Sequence, residues 1–280
     1  MTDTSPGPTH YAVIGHPVSH SLSPRIHAEF AAQTNQSITY TAIDVGPHEL
    51  MGRLDALMEE GVHGLNVTVP LKSNTAKSCA SLSARAKRAG AVNTLLSRDG
   101  DWHGDTTDGD GLITDLNQLG LDLRGQSILL MGAGGSAWSI LGALLDAKPR
   151  DIVVANRTVS TGRLLSRHFM RYGTVSACGL DRVPNRRYGL VINATSASLQ
   201  HSRPAIPPGN VRGAHCYDLM YAPGGTPFTD WCFDNGAKSA HTGIGMLVEQ
   251  AALSFELWRG VRPDTAPVRS RLRTELGFKA

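Results

Sequence analysis

Ser127-Ile-Leu-Leu-Met131 runs directly into Gly132-Ala-Gly134-Gly135-Ser136-Ala137. The first five residues form a short apolar run, as a buried strand requires, and the next six fit G-x-G-x-x-A at the opening of a helix over 135–146. Each small residue has a physical task. Gly132 tolerates the positive φ of a tight turn. Gly134 lets the backbone approach a pyrophosphate, and Ala137 keeps the helix close to the sheet. The free N–H groups at the helix start favour anions. A glycine turn alone also occurs in plain tight turns. Here a strand over 151–155 completes a unit from Ser127 to Asn156 of about the 30 residues expected of a dinucleotide-binding βαβ fold. Gly132, Ala133, Gly134, Gly135 and Ser136 are therefore the candidate phosphate cradle.

The end of the second strand bears on the cofactor. An NAD site places an acid there for the ribose 2′-hydroxyl. This strand ends Ala155-Asn156-Arg157-Thr158, with no acid. An arginine can pair with a 2′-phosphate bidentately, which favours NADP. The alternative for Arg157 is a solvated cation at a helix start.

Working outward, strand and helix signals alternate along the whole chain. Tyr11 to Gly15, Ile38 to Val45, Gly64 to Val69 and Ala91 to Ser97 read as strands, the last followed by a turn at Asp99-Gly100. Ser23-Pro24 reads as an N-cap with proline at the first helical position. Pro47 to Glu60 has a helical pattern. Asp108 to Leu119 carries Ile113, Leu116 and Leu119 on one face and reads as a connector between domains. Later come a helix over 160–171, strands at Val191 to Asn193 and His215 to Leu219, and a strong helix at Leu247 to Trp258. The pattern predicts an α/β protein with a mostly parallel sheet in its first domain and a Rossmann-type second domain.

The bulk properties narrow the class. At 280 residues the chain has room for two cores. A net charge of +3 is too small to argue for nucleic acid or an anionic membrane. The basic residues between Arg262 and Arg273 read as the solvated face of a terminal helix. Cys79, Cys178, Cys216 and Cys232 form no C-x-x-C pair and have no partner at zinc-ligand spacing, so reduced thiols and no metal are expected. Met1 to His10 lacks the pattern of a signal peptide, and no apolar run is long enough to span a membrane. The expected compartment is the cytoplasm.

Several further blocks are not explained by composition. They are Gly15-His-Pro-Val-Ser-His-Ser21-Leu-Ser23-Pro24, Asn66-Val-Thr68-Val-Pro70-Leu-Lys72, Ala91-Val-Asn93-Thr94 and Gly104-Asp-Thr-Thr-Asp108-Gly109. Beyond the glycine turn come Asn193-Ala-Thr195-Ser196, Tyr217-Asp218-Leu-Met-Tyr221 and Gly243-Ile-Gly245-Met246-Leu-Val-Glu-Gln250. In this order the chain closely resembles the shikimate dehydrogenases, over nearly its whole length. The resemblance implies reversible, NADP-dependent reduction of 3-dehydroshikimate to shikimate, in aromatic amino acid and chorismate biosynthesis. It implies a substrate domain at 1–107, a dinucleotide-binding domain at 108–245, and C-terminal helices at 246–280 that pack back on the first domain. It places Ser21 and Ser23 on the substrate carboxylate, and two hydroxyls can both donate to one carboxylate. Thr68 and Asn93 would hydrogen-bond ring hydroxyls, with local strand-end bonding as the plain alternative. Lys72 and Asp108 would form the catalytic pair. The lysine would supply a proton to the developing alkoxide and stabilise its charge. Gln250 and Tyr221 would complete the substrate site. Asn156, Arg157 and Thr158 would hold the adenosine end of the cofactor, and Leu219, Gly243 and Met246 the nicotinamide end. The implied partners are small molecules, and the chain would be a monomer or homodimer.

Four positions depart from that pattern. Trp138 and Thr161 stand where basic residues usually lie, which removes positive charge near the adenosine phosphate, although Arg163 follows closely. Thr106 replaces an Asn and Thr242 an acid. Two other readings stay open at this level: a quinate/shikimate dehydrogenase using NAD, and a non-catalytic NADP(H)-binding protein. Retention of both Lys72 and Asp108 argues against the second, because a pure binder needs neither.

Overall fold

The computed structural model describes residues 7–278, with the backbone alone at 199–200. The first six residues, on which the no-leader expectation partly rests, lie outside the described residues. In chain order the strands and helices are β1 (Thr9–Gly15), α1 (Ser23–Thr34), β2 (Ile38–Asp44), α2 (Leu50–Glu59), β3 (Val62–Val67), α3 (Lys72–Thr75), β4 (Ser81–Leu82), α4 (Ala84–Ala89), β5 (Thr94–Arg98) and β6 (Asp101–Asp105). They continue with α5 (Asp108–Gln118), β7 (Ser127–Met131), α6 (Gly135–Asp146), β8 (Asp151–Ala155), α7 (Val159–Phe169), β9 (Val175–Cys178), β10 (Leu190–Asn193), β11 (His215–Asp218), α8 (Pro227–Asp234), β12 (Ser239–Thr242), α9 (Ile244–Arg259) and α10 (Ala266–Glu275).

Two compact units result. The first comprises the chain up to Thr107 together with Gln250–Val268, the second Asp108–Glu249 together with the chain from Arg269 on. This differs from the expected assignment of 246–280 as one block. Gln250 onward joins the first unit through side chains such as Trp258, whose indole N–H donates to Leu95 O at 2.9 Å. The chain from Arg269 on joins the second, because Arg269 faces the buried Asp115 carboxylate at 3.8 Å and Gly224 N–H donates to Leu276 O.

The first unit is built on a six-stranded sheet of order β2-β1-β3-β5-β6-β4. Its β2, β1 and β3 are parallel, as expected, and β4 is parallel to β6. The pairs β3–β5 and β5–β6 are antiparallel, so β5 runs against its neighbours in a sheet that is otherwise parallel, in keeping with the mostly parallel sheet expected. The Asp99-Gly100 turn accounts for the β5–β6 pair. Both residues have positive φ, 53° and 81°, the backbone of a two-residue hairpin, which reverses the chain directly into β6. Ala12, Ile14, Leu65 and Val67 from the central strands pack with Leu50, Leu54 and Leu57 of α2.

The second unit has a six-stranded, all-parallel sheet of order β12-β11-β10-β7-β8-β9. Every residue of β7 is buried. Ile128 and Leu130 join one core with Ile140, Leu141 and Leu144 of α6, while Leu129 and Met131 join another with Phe228 and Cys232 of α8. Period-two alternation into two cores is what covering both faces of a parallel sheet demands. The strand order turns back at β7 and β10, so the crevice at the carboxyl ends of these strands is where such sheets take ligands.

Candidate functional site

In the second unit the cradle stands at the carboxyl end of β7. Gly132 has φ +103°, and a Cβ there would meet Ala194 O at 2.9 Å, so both the turn and the packing against the β10 loop require glycine. Gly134 has ordinary φ and is exposed, and a Cβ there would meet nothing within 4 Å. The space a side chain would fill is open at the start of α6. No side chain caps that start. Ala137 is fully buried, holding α6 against the sheet. Ala133, Gly135 and Ser136 continue the turn. At the carboxyl end of β8, Asn156 folds its amide onto Thr158 O at 2.9 Å and leaves Arg157 and Thr158 exposed. An open cradle beside an exposed guanidinium fits a 2′-phosphorylated dinucleotide.

The departures at Trp138 and Thr161 take different forms. Trp138 is partly buried, its ring 5.0 Å from that of His168 and 5.9 Å from that of Phe169, so it packs α6 against α7. Thr161 is exposed.

At the carboxyl end of β11, Leu219 is buried and Tyr221 half-buried. Asp218 shapes this turn. Its carboxylate accepts from Ser198 Oγ (2.6 Å), Thr226 Oγ1 (2.7 Å), Met220 N (3.0 Å) and Asn193 Nδ2 (3.1 Å). Burial pushes its carboxyl above the usual range, against the pull of those donors. Gly243 N–H donates to Met220 O at 3.1 Å, tying the turn to the start of α9, where Met246 is buried. Asp108 is the first residue of α5 and is buried.

In the first unit the candidate substrate residues cluster at the carboxyl ends of β1 and β3 and the start of β5. Thr68 N–H donates to Ile14 O at 2.9 Å. Lys72 opens the short α3 and is buried, at 8 % exposure, while its carbonyl accepts from Val92 N at 3.0 Å. A lysine held this far from water is no ordinary surface cation. Asn93 is enclosed. Its Nδ2 donates to Gln250 Oε1 at 3.0 Å and Thr107 Oγ1 at 2.8 Å, and its Oδ1 accepts from Thr107 N at 2.8 Å. Asn93 and Gln250, 157 residues apart, thus meet directly.

Ser23 is buried at the first position of α1, Ser21 half-buried before it, and Ser21 Oγ accepts from Ser23 N at 3.3 Å. The N-cap expectation for Ser23 is corrected. The cap residue is Leu22, and no side chain caps the helix. Ser23 lies inside the helix, its hydroxyl bonded to Tyr40.

Tyr40 leads to a buried polar network that the sequence reading did not assign. Its hydroxyl donates to Asn66 Oδ1 at 2.7 Å, as does His27 Nε2 at 3.2 Å. Asn66 Nδ2 donates onward to Asn93 O (3.1 Å) and Ser254 Oγ (3.0 Å). His27 is fully buried, stacked on Tyr40 with ring centroids 4.2 Å apart. Burial pushes its imidazole down to about 3, partly offset by the bond to Asn66. It is therefore neutral and carries its proton on Nε2. A hydrogen-bonded path thus runs from Ser23 to Asn93 and Gln250. The signal available in sequence was Asn66 itself, a polar residue inside the apolar run Leu65-Asn66-Val67.

Comparison with known proteins follows the same division. The description "Shikimate dehydrogenase substrate binding domain" matches residues 13–95, "Shikimate / quinate 5-dehydrogenase" residues 115–204, and "Shikimate 5'-dehydrogenase C-terminal domain" residues 243–273. The chain is 51% identical over 271 residues to the "Shikimate dehydrogenase (NADP(+))" of Methylococcus capsulatus, covering 96% of this chain and 97% of that one. It is 48% identical to the protein of the same name from Hahella chejuensis, covering 94% and 98%. Among solved structures, an Ael1 enzyme from Pseudomonas putida superimposes with TM-score 0.85 at 36% identity, covering 94% of this chain and 98% of that one. Shikimate 5-dehydrogenase from Thermus thermophilus, in complex with NADP(H) and shikimate, gives TM-score 0.85 at 32% identity, covering 95% and 99%. The chain belongs to the shikimate dehydrogenase family.

Proposed function

We propose that this chain catalyses the reversible, NADP-dependent reduction of 3-dehydroshikimate to shikimate, a step of aromatic amino acid and chorismate biosynthesis. The observation that carries the reading is the enclosed Asn93–Gln250–Thr107 cluster beside the buried Lys72, in a chain whose relatives at about half identity carry that activity in their name. Fixed amide and hydroxyl groups suit a polyhydroxylated ring, because a site built to pair hydroxyls rejects analogues that leave its buried polar groups unpaired.

The bound reduced nicotinamide supplies the hydride. Lys72 donates the proton to the oxygen that becomes the alcohol and stabilises its charge as the carbonyl is reduced, and Asp108 accepts a hydrogen bond from that hydroxyl. Ser21 and Ser23 take the carboxylate, Thr68, Asn93 and Gln250 the ring hydroxyls, and Tyr221 completes the substrate contacts. Gly132 to Ser136 hold the pyrophosphate, Asn156, Arg157 and Thr158 the adenosine 2′-phosphate, and Leu219, Gly243 and Met246 the nicotinamide. On this reading the first unit is the substrate domain and the second the dinucleotide-binding domain. Among the described residues no helix is long and apolar enough to cross a membrane. The reading places the protein in the cytoplasm as a monomer or homodimer acting on small molecules.

Initial rates with shikimate and quinate, each with NADP and NAD, test it. The expected result is the highest kcat/KM for shikimate with NADP. A much larger kcat/KM for quinate with NAD would overturn it, as would tight NADPH binding without turnover of 3-dehydroshikimate.

A further inference from the structure

Asp115 and Tyr217 lie outside the substrate and cofactor residues named above, yet both are buried, at 4 % and 0 % exposure, in the second unit. The Tyr217 hydroxyl donates to Asp115 Oδ2 at 2.6 Å and accepts from Met246 N at 3.3 Å. Met246 is the third residue of α9, so its N–H belongs to the first turn, where helix donors have no partner within the helix. One phenol thus closes a chain from α5, through β11, to the start of α9.

The neighbouring glycine shows how tightly this start is held. A Cβ at Gly245 would run into the Asp115 carboxylate, so glycine is what allows the carboxylate to reach the first turn of α9. Arg269 faces the same carboxylate at 3.8 Å. Burial raises the Tyr217 hydroxyl well above its ordinary range, and the Asp115 charge adds to this, so the phenol keeps its proton and remains a donor. On the other side, Gly243 N–H is bonded to Met220 O, and Leu247 N–H to Gly243 O.

We infer that Asp115 and Tyr217 are positioning residues that fix the Gly243–Met246 turn against which the nicotinamide end of the cofactor lies. The inference rests on the proposed cofactor assignment of Gly243 and Met246 and deepens it. The adenosine end is held elsewhere, at Arg157, so loosening this turn weakens only the nicotinamide half of the contact.

The experiment compares Tyr217→Phe and Asp115→Asn with wild type in direct binding of NADPH and of adenosine 2′,5′-bisphosphate, the adenosine half alone. The expected result is a roughly tenfold rise in Kd for NADPH in Tyr217→Phe, a smaller rise in Asp115→Asn, and a Kd for the bisphosphate within twofold of wild type. Asp115→Asn keeps the size and an acceptor oxygen, so it carries the test if Tyr217→Phe does not fold. Equal rises for both ligands, or no change for either, would overturn the inference. Wild-type protein that binds neither ligand would overturn the cofactor reading itself, and this inference with it.

Discussion

Acidification should weaken this protein through one side chain, His27. Its imidazole is fully buried among Tyr40, Phe255 and Trp258, and its folded value lies near 3 against 6.5 for the free side chain. The unfolded chain takes up a proton as pH falls through 6.5, and the folded chain does not until about 3. The contribution is therefore fully present above pH 6.5 and is lost progressively between 6.5 and 3, at about 1.4 kcal/mol per pH unit. Between pH 7.5 and pH 5.0 this amounts to about 2 kcal/mol. Urea unfolding of wild type and His27→Gln at both pH values isolates the effect. Glutamine can still donate to Asn66 but does not titrate. The double difference cancels the remaining titrating groups, and wild type should lose about 2 kcal/mol more than the variant. Equal losses would refute the reasoning, because they would mean that His27 is hydrated or paired when protonated. The site should feel the same change, since His27 shares Asn66 Oδ1 with Tyr40.

Lys72→Ala should lower kcat by about 10²–10⁴ and leave NADPH affinity unchanged; an unchanged kcat would remove Lys72 from proton transfer. Arg157→Ala should raise KM for NADP by about 10- to 100-fold, the span of a lost charge-assisted bond, with little effect on NAD; equal effects on the two would exclude contact with the 2′-phosphate. The two glycines of the cradle should separate. Gly134→Ser keeps a good N-cap residue and meets no neighbour, so Tm should hold while NADPH affinity falls. Gly132→Ala forces a Cβ onto Ala194 O at positive φ and should lower Tm itself.

Local patterns made much of this protein legible in its sequence. The run Ser127 to Ala137 announced a strand, a turn and a helix, because glycine backbone freedom and apolar periodicity are properties of neighbouring residues. The Asp99-Gly100 turn was equally plain, but its consequence was not. The turn pairs β6 antiparallel with β5, and it is β5 that runs against its neighbours β3 and β6, while β6 regains the direction of β1 to β3 in the mostly parallel sheet. Ser23-Pro24 looked like a cap and is not one, since the side chain found a partner in Tyr40 across the sheet edge rather than in its own helix. Asn93, Gln250 and Lys72 became candidates through resemblance, and Arg157 through its place at the end of the second strand of the dinucleotide unit.

Only tertiary structure decided what those side chains touch. Asn93 meets Gln250 across 157 residues of chain, Asn66 gathers Tyr40, His27 and Ser254, and Tyr217 joins Asp115 to the start of α9. Such contacts are invisible to periodicity, because a buried donor is satisfied by whichever acceptor folding brings within about 3 Å. Sequence set the glycine turn and the cation at the end of the second strand. Packing opened the cradle at Gly134, occupied Trp138 between two helices, and placed Lys72 away from water.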